Sequence, residues 1–335
     1  MIEQLTQASR ICNLAALIAS DCGDTLANTL CWRQYEVFYQ ARPLPAAALP
    51  LALQPLLNIP RQLIRDGHAN AAYTALEDLL HAARAHGEAR IDGRTVRLHT
   101  LTTTPDGHQT TITQIWTALL ADGTRALIHT GRWQAAAERA AAHCGVGTRL
   151  LDGRQVTILA HAHHGRHHDA LALLDDSSLT EPWEPAIQQL LRVQCHQLTG
   201  RDADRHIPAM ITAIHELLDL GDQATRVFRT RAAITALELS RARPDPERTR
   251  LTNRLIALAR SDGYAAHDLL THPRLSHELS NTQTRSLAHL VHTCGLSIGA
   301  LPKPLRTQVL TAARHAEHQL RLLLALRSPT YTRNR

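Results

Sequence analysis

Three glycines recur at almost equal intervals in this chain of 335 residues. Gly131, Gly165 and Gly200 are spaced by 34 and then 35 positions. The first two open similar phrases, Gly131-Arg132-Trp133-Gln134-Ala135-Ala136 and Gly165-Arg166-His167-His168-Asp169-Ala170. Each phrase stands between two stretches of helix-forming sequence. A fixed period of this length is the signature of helical hairpins stacked in an array, because one hairpin cannot bury its apolar face without its neighbours. The expected fold is all-α, an α-solenoid of antiparallel helical hairpins. Arrays of this kind generally serve as binding surfaces, and their sequence seldom names the ligand.

The composition agrees with helix. Leu and Ala dominate, aromatics are 3%, and 44% of residues are hydrophobic, enough for a large core. The six cysteines, Cys12, Cys22, Cys31, Cys144, Cys195 and Cys294, form no Cys-x-x-Cys pair. Scattered thiols of this sort point to a reducing, cytoplasmic setting. The first residues carry no basic stretch leading into an apolar run, so no signal peptide is expected. No apolar stretch reaches the ~20 residues of a membrane span. Net charge is +6, and Lys303 is the only lysine. Arginine on this scale suits phosphate or carboxylate ligands, and it equally suits a simple compositional bias. Stacking aromatics are scarce and no block of adjacent Arg occurs, which argues against nucleic acid.

Along the chain, helical periodicity predicts helices over 2–20, 25–40 and 69–86, with the proline-spaced stretch 43–60 as a connector into a helix ending at 61–66. Segment 87–110 differs. Arg90-Ile91-Asp92-Gly93-Arg94-Thr95-Val96 places short β-type runs on either side of Asp-Gly, a hairpin turn signal. A small β-hairpin or ordered loop inserted near 88–110 is therefore expected, followed by a Thr-rich loop through Asp106-Gly107. Hairpins then pair 111–130 with 133–143, 148–164 with 167–178, and 184–199 with 202–219. Beyond Gly221 the period loosens, with helices expected over 222–241, 246–261, 264–272, 281–293 and 303–327. Pro244 and Pro246 mark a connector, Ser328-Pro329 a stop, and the end through Arg335 a frayed terminus. The expected organisation is a repeat array over 1–220 and a less regular helical extension over 221–328.

These phrases resemble the tetratricopeptide repeat, whose pattern places Gly at the turn, an aromatic two residues later, Ala five later and often Pro seventeen later. Gly165, Ala170 and Pro182 fit, with His167 departing at the aromatic position; Gly131, Trp133 and Ala136 fit without the Pro. Gly67 with Ala72 is a weaker match, Gly200 keeps only its spacing, and Gly23 is followed by Ala27 one position early. The resemblance implies a groove lined by the first helix of each hairpin. Carried over position by position, it implies groove residues Arg10, Asn13, Arg61, Arg65, Arg125, His129, Gln155, His163, Gln194 and Gln197. That set is polar and contains no acid. It suits an extended acidic peptide, a terminal carboxylate or a phosphorylated ligand, or else a solvated face rich in Arg. The Lys and Asn set with which one subtype clamps a terminal carboxylate is missing.

The loudest local signal is His161, His163, His164, His167 and His168 around Gly165. Imidazoles three or four residues apart on a helix can share a metal. These straddle a turn, however, and no Cys or Glu neighbour completes a ligand set, so no metal or cofactor is assigned. Asp122-Gly123 and Asp152-Gly153 fall inside or at the start of first helices, either as close-packing glycines or with Asp122, Arg125, Asp152 and Arg154 near one rim of the groove. No nucleotide-binding, Gly-x-Ser-x-Gly or kinase signature is present. The leading expectation is a non-catalytic binding or scaffold protein holding a peptide or a partner protein, including a second copy of the chain, in a polar groove. The alternatives are the effector-sensing part of a transcriptional regulator and a metal-dependent enzyme using the histidine cluster.

Overall fold

Gly165 shows how the chain reverses. Its φ of +71° is open to glycine at little cost, and there the helix before it ends. The Gly165 amide donates to the carbonyl of Ala162, and the Arg166 amide to that of His161. This pair of bonds satisfies two carbonyls that the helix end leaves without partners. The same two bonds recur at Gly23, Gly67, Gly131 and Gly200, all with φ between +68° and +82°. The weakly matching glycines thus build the same turn as the strong ones.

In a computed structural model, residues 1–222, 224–241 and 245–326 are described. The expectations attached to Pro244, Ser328-Pro329 and Arg335 lie outside them. The described residues are mostly helical, with one small antiparallel hairpin, and the chain divides into two compact units, Met1–Arg132 with Ser297–Arg335, and Trp133–Leu296. Gly221, where the period loosens, lies inside the second unit.

The first unit contains α1 (Ile2–Asp21), α2 (Leu26–Gln40), α3 (Leu49–Arg65), α4 (Ala69–Ala85), α5 (Pro105–Ala118), α6 (Thr124–His129) and α17 (Lys303–Ala325). Successive helices pack in order from α1 to α5, α1 also touches α3, α3 touches α5, and α17 lies on α1 and α2. Leu5, Phe38, Leu53, Leu56, Leu76 and Leu79 fill the core.

Two expectations are corrected here. Helix α3 begins at Leu49 rather than after the prolines. Pro50 sits at its first turn, where no amide bond is missed, while Pro55 and Pro60 lie inside it. The apolar stripe Leu49, Leu53, Leu56, Leu57 and Ile59 is buried, and that burial outweighs the lost backbone bonds. The second correction concerns Asp106-Gly107, which lies in the first turn of α5 and not in a loop. Thr104 caps that helix by accepting from the Gly107 amide, and Pro105 opens it.

The hairpin itself is as expected. Strands β1 (Glu88–Ile91) and β2 (Arg94–Arg97) pair antiparallel, with Ile91 opposite Arg94. Asp92 and Gly93 both take positive φ, as a two-residue turn between right-twisted strands requires. Ala89, Ile91 and Val96 point inward.

Between α5 and α6 the helix widens into a π-turn over Leu119–Gly123. A side chain at Gly123 would meet Leu119 at 2.8 Å and Tyr73 at 3.4 Å, so this glycine is a close-packing one.

The second unit runs through α7 (Trp133–Ala142), α8 (Asp152–His163), α9 (His167–Asp175), α10 (Glu184–Leu198), α11 (Ile207–Asp219), α12 (Arg226–Leu239), α13 (Pro246–Ala259), α14 (Gly263–Thr271), α15 (Leu275–Glu278) and α16 (Asn281–Cys294). Helices α8, α10, α12 and α14 touch one after the next, and α9, α11 and α13 pack between or beside them. One continuous core runs from Leu150 through Val193, Ile214 and Leu255 to Leu287. Ala170, five residues after its turn glycine, is fully buried, as are Ala136 and Ala72. A small side chain there lets neighbouring helices approach.

Candidate functional site

The first unit brings together four of the residues implied by the repeat pattern. Arg10 and Asn13 on α1 face Arg61 and Arg65 on α3 across a cavity of about 540 Å³. Its apolar part is Ile11 with Leu14 and Leu17, which are 55% and 44% exposed. Leu14 and Leu17 stand three residues apart on α1, so together they form one apolar strip on the cavity wall. Amides line the other wall. Gln54 donates to Asn58 Oδ1 at 3.0 Å, Arg61 donates to the same oxygen at 3.1 Å, and Asn58 donates to Asn13 at 3.4 Å.

A second cavity, also about 540 Å³, lies between α3 and α5 and shares Gln54 and Arg61 with the first. Thr113 and Thr117 of α5 line it. A third, of about 520 Å³, lies between α1 and α17, with Ile11, Thr307, Thr311 and His315 on its walls. The three concavities follow one another across α17, α1, α3 and α5. Sequence reasoning missed the α17 part, because no periodicity ties residue 307 to residue 11.

The groove is less free of acid than its residue list suggested. Arg65 donates to Asp21 at 2.9 Å and to Ser20 Oγ at 2.7 Å. Arg61 Nε donates to Asp122 Oδ2 at 2.7 Å, and Arg125 Nη1 donates to Asp122 Oδ1 at 3.1 Å. The Asp122 side chain is 6% exposed, while those of Arg61 and Arg125 are 44% and 56% exposed. Arg10 stands exposed on α1. His129 stands exposed at the end of α6.

The remaining implied residues sit in the second unit, mostly in structural contacts. Gln155 donates to the Leu150 carbonyl at 2.7 Å, and Gln197 to the Leu239 carbonyl at 2.7 Å. His163 stacks on Trp133 with ring centroids 4.5 Å apart. Gln194 is half-buried on α10. Arg154 is no rim residue. It is buried and donates to Ser177 Oγ and to the carbonyls of Gly147 and Leu173, tying two loops together.

The five clustered histidines separate at the turn. His161 is half-buried, with no hydrogen-bond partner at Nδ1, and His163 lies on Trp133. His164 Nδ1 is 2.8 Å from the Ala160 carbonyl, and His168 is exposed. His167 is buried, with Nδ1 3.0 Å from Thr199 Oγ1. Among the described residues no three His, Cys, Asp or Glu side chains are grouped to hold a metal.

A different row forms instead. His167 meets His196 at 4.9 Å, and His196 meets His206 at 4.6 Å. Burial holds all three rings below the ordinary histidine range, and nearby charges add to it: Arg201 for His167, His206 and Arg205 for His196, Arg205 and Arg192 for His206. Asp202 opposes the shift at His206.

Burial also pushes the thiols up, to about 12 at Cys12 and about 11 at Cys31 and Cys195, the reverse of an activated nucleophile. No helix among the described residues is long and apolar enough to cross a membrane. Comparison of the chain with protein-family models, with curated proteins and with solved structures finds no match.

Proposed function

We propose that this chain is a tetratricopeptide-like helical array that acts as a non-catalytic binding or scaffold protein, holding an extended peptide segment of a partner along α1, α3 and α5. The observation that carries this reading is the cavity between α1 and α3, where Arg10, Asn13, Arg61 and Arg65 stand around exposed Leu14 and Leu17. Apolar surface beside convergent amides suits a peptide, whose side chains need one and whose backbone needs the other. The neighbour-to-neighbour packing of alternate helices in each unit supports the array reading. Six thiols without a disulfide suit a reducing cytoplasm.

The test uses the full chain, immobilised, and a mixture of random decapeptides. Wild-type protein retains peptide above background. The double variant Leu14→Glu, Leu17→Glu places charge on the apolar strip without touching the core, and its retention falls to background with helicity unchanged. Equal retention by both proteins removes this groove from the account.

A further inference from the structure

The two arginines on Asp122 are held in an unusual way. A single buried carboxylate takes a hydrogen bond from each, through Arg61 Nε and Arg125 Nη1, and both arginine side chains remain about half exposed. Two positive charges on one negative leave a net charge of +1, and the exposed part of the trio is the positive part. A guanidinium has five donors. Arg61 uses Nε here and one at Nη1, toward Asn58, while Arg125 uses one at Nη1. The others have no hydrogen-bond partner among the described residues.

Asp122 lies in the π-turn over Leu119–Gly123, buried against Arg61 of α3, while Arg125 stays on the surface three residues on. An arginine side chain loses much rotamer freedom when it is held, and anchoring one edge of its planar fork removes part of that cost before any ligand arrives. Arg61 belongs to both of the neighbouring cavities, and Arg125 is joined to it through Asp122.

Building on the groove reading, we infer that the Asp122-anchored pair of Arg61 and Arg125 is a carboxylate subsite, which gives the groove its preference for acidic peptides. Asp122 is a positioning residue, and the two arginines make the contact.

Two matched decapeptide mixtures test this, one containing Asp and Glu and the other with Asn and Gln in their place. Immobilised wild-type chain retains the acidic mixture about tenfold better at low salt. Arg125→Gln, at an exposed position, reduces the ratio of acidic to amide retention severalfold. Asp122→Asn separates positioning from bulk charge. It removes a negative charge, so a ligand attracted by net charge alone is retained better, whereas an anchored fork predicts weaker acidic preference. Unchanged or increased preference in Asp122→Asn, or an unaffected Arg125→Gln, overturns the inference. Equal retention of both mixtures by the wild type overturns it while leaving the groove standing, and retention of neither removes the groove as well. Should Asp122→Asn fail to fold, Arg125→Lys, which keeps the charge and loses the planar fork, decides in its place, and an unchanged preference there overturns the inference.

Discussion

At the scale of single residues, the turn glycines differ from ordinary loop glycines by their backbone and not by their surroundings. Nothing lies within 4 Å of a side chain added at Gly165, yet its φ of +71° disfavours one. Gly165→Ala is therefore expected to lower stability by about 1 kcal/mol through backbone strain alone. Gly147 has equally open space and an ordinary φ, so Gly147→Ala is expected to be neutral or slightly stabilising. Urea midpoints of the two variants check this, and equal losses would contradict it. The turn glycines are legible in sequence because the signal is local: the glycine and its neighbours make the whole turn. The partnership of Arg61 with Asp122 is not legible. The residues are 61 positions apart, and Asp122 lies in a π-turn that helical periodicity does not reveal.

At the scale of elements, α7, α9, α10, α13 and α14 begin within a residue of where periodicity places them, α8, α11 and α12 begin four or five residues later, and the larger errors fall where two local rules compete. In α3 the proline rule argued for a connector, while the spacing of Leu49, Leu53, Leu56 and Leu57 argued for a helix, and core burial decided between them. At α5 the Asp-Gly pair that turns the hairpin at 92–93 reappears at 106–107, where Thr104 and Pro105 make a helix start of it. The histidine cluster was legible as a composition and not as an arrangement. The turn at Gly165 sends His167 toward His196 on α10, whose ring in turn meets His206.

This row predicts a pH dependence. All three rings are held below the ordinary value in the fold, so the unfolded chain takes up protons first as pH falls. Their contribution is fully present above pH ~6.5 and is lost as pH drops through that range and below. Urea unfolding at pH 7.5, 6.5 and 5.5 should give falling stability. His167→Phe, which keeps an aromatic ring in the row without a titrating nitrogen, should flatten the fall. An unchanged slope in that variant would contradict the assignment.

At the scale of the molecule, the first unit is built from both ends of the described chain. Asp24 accepts from the amides of Leu26 and Leu301 at 2.9 and 3.0 Å, and from Arg306 at 2.8 Å. Burial alone would raise its carboxyl; these donors bring it below the usual range. The amides of Ser297 and Gly299 donate to the carbonyls of Asp21 and Cys22, and Arg33 pairs with Glu317 at 2.9 Å. Helix α17 buries Val309, Leu320 and Leu324. A chain ending at Leu296 is expected to lose on the order of 5 kcal/mol from the first unit, a large part of what holds such a unit folded. Thermal unfolding of that truncation should show an early transition, and an unchanged unfolding profile would contradict this role for α17. A contact between positions 24 and 301 carries no periodic signal, which is why the repeat pattern does not reveal it.

The groove itself is tested most directly by site mapping. Random decapeptides bearing a benzophenone photocrosslinker are irradiated with the full chain, and the linked residues are identified by mass spectrometry. The account predicts crosslinks on Arg10–Leu17 of α1 and on Gln54–Arg65 of α3, lost in the Leu14→Glu, Leu17→Glu variant. Crosslinks confined to the second unit, or scattered evenly over the surface, would contradict it.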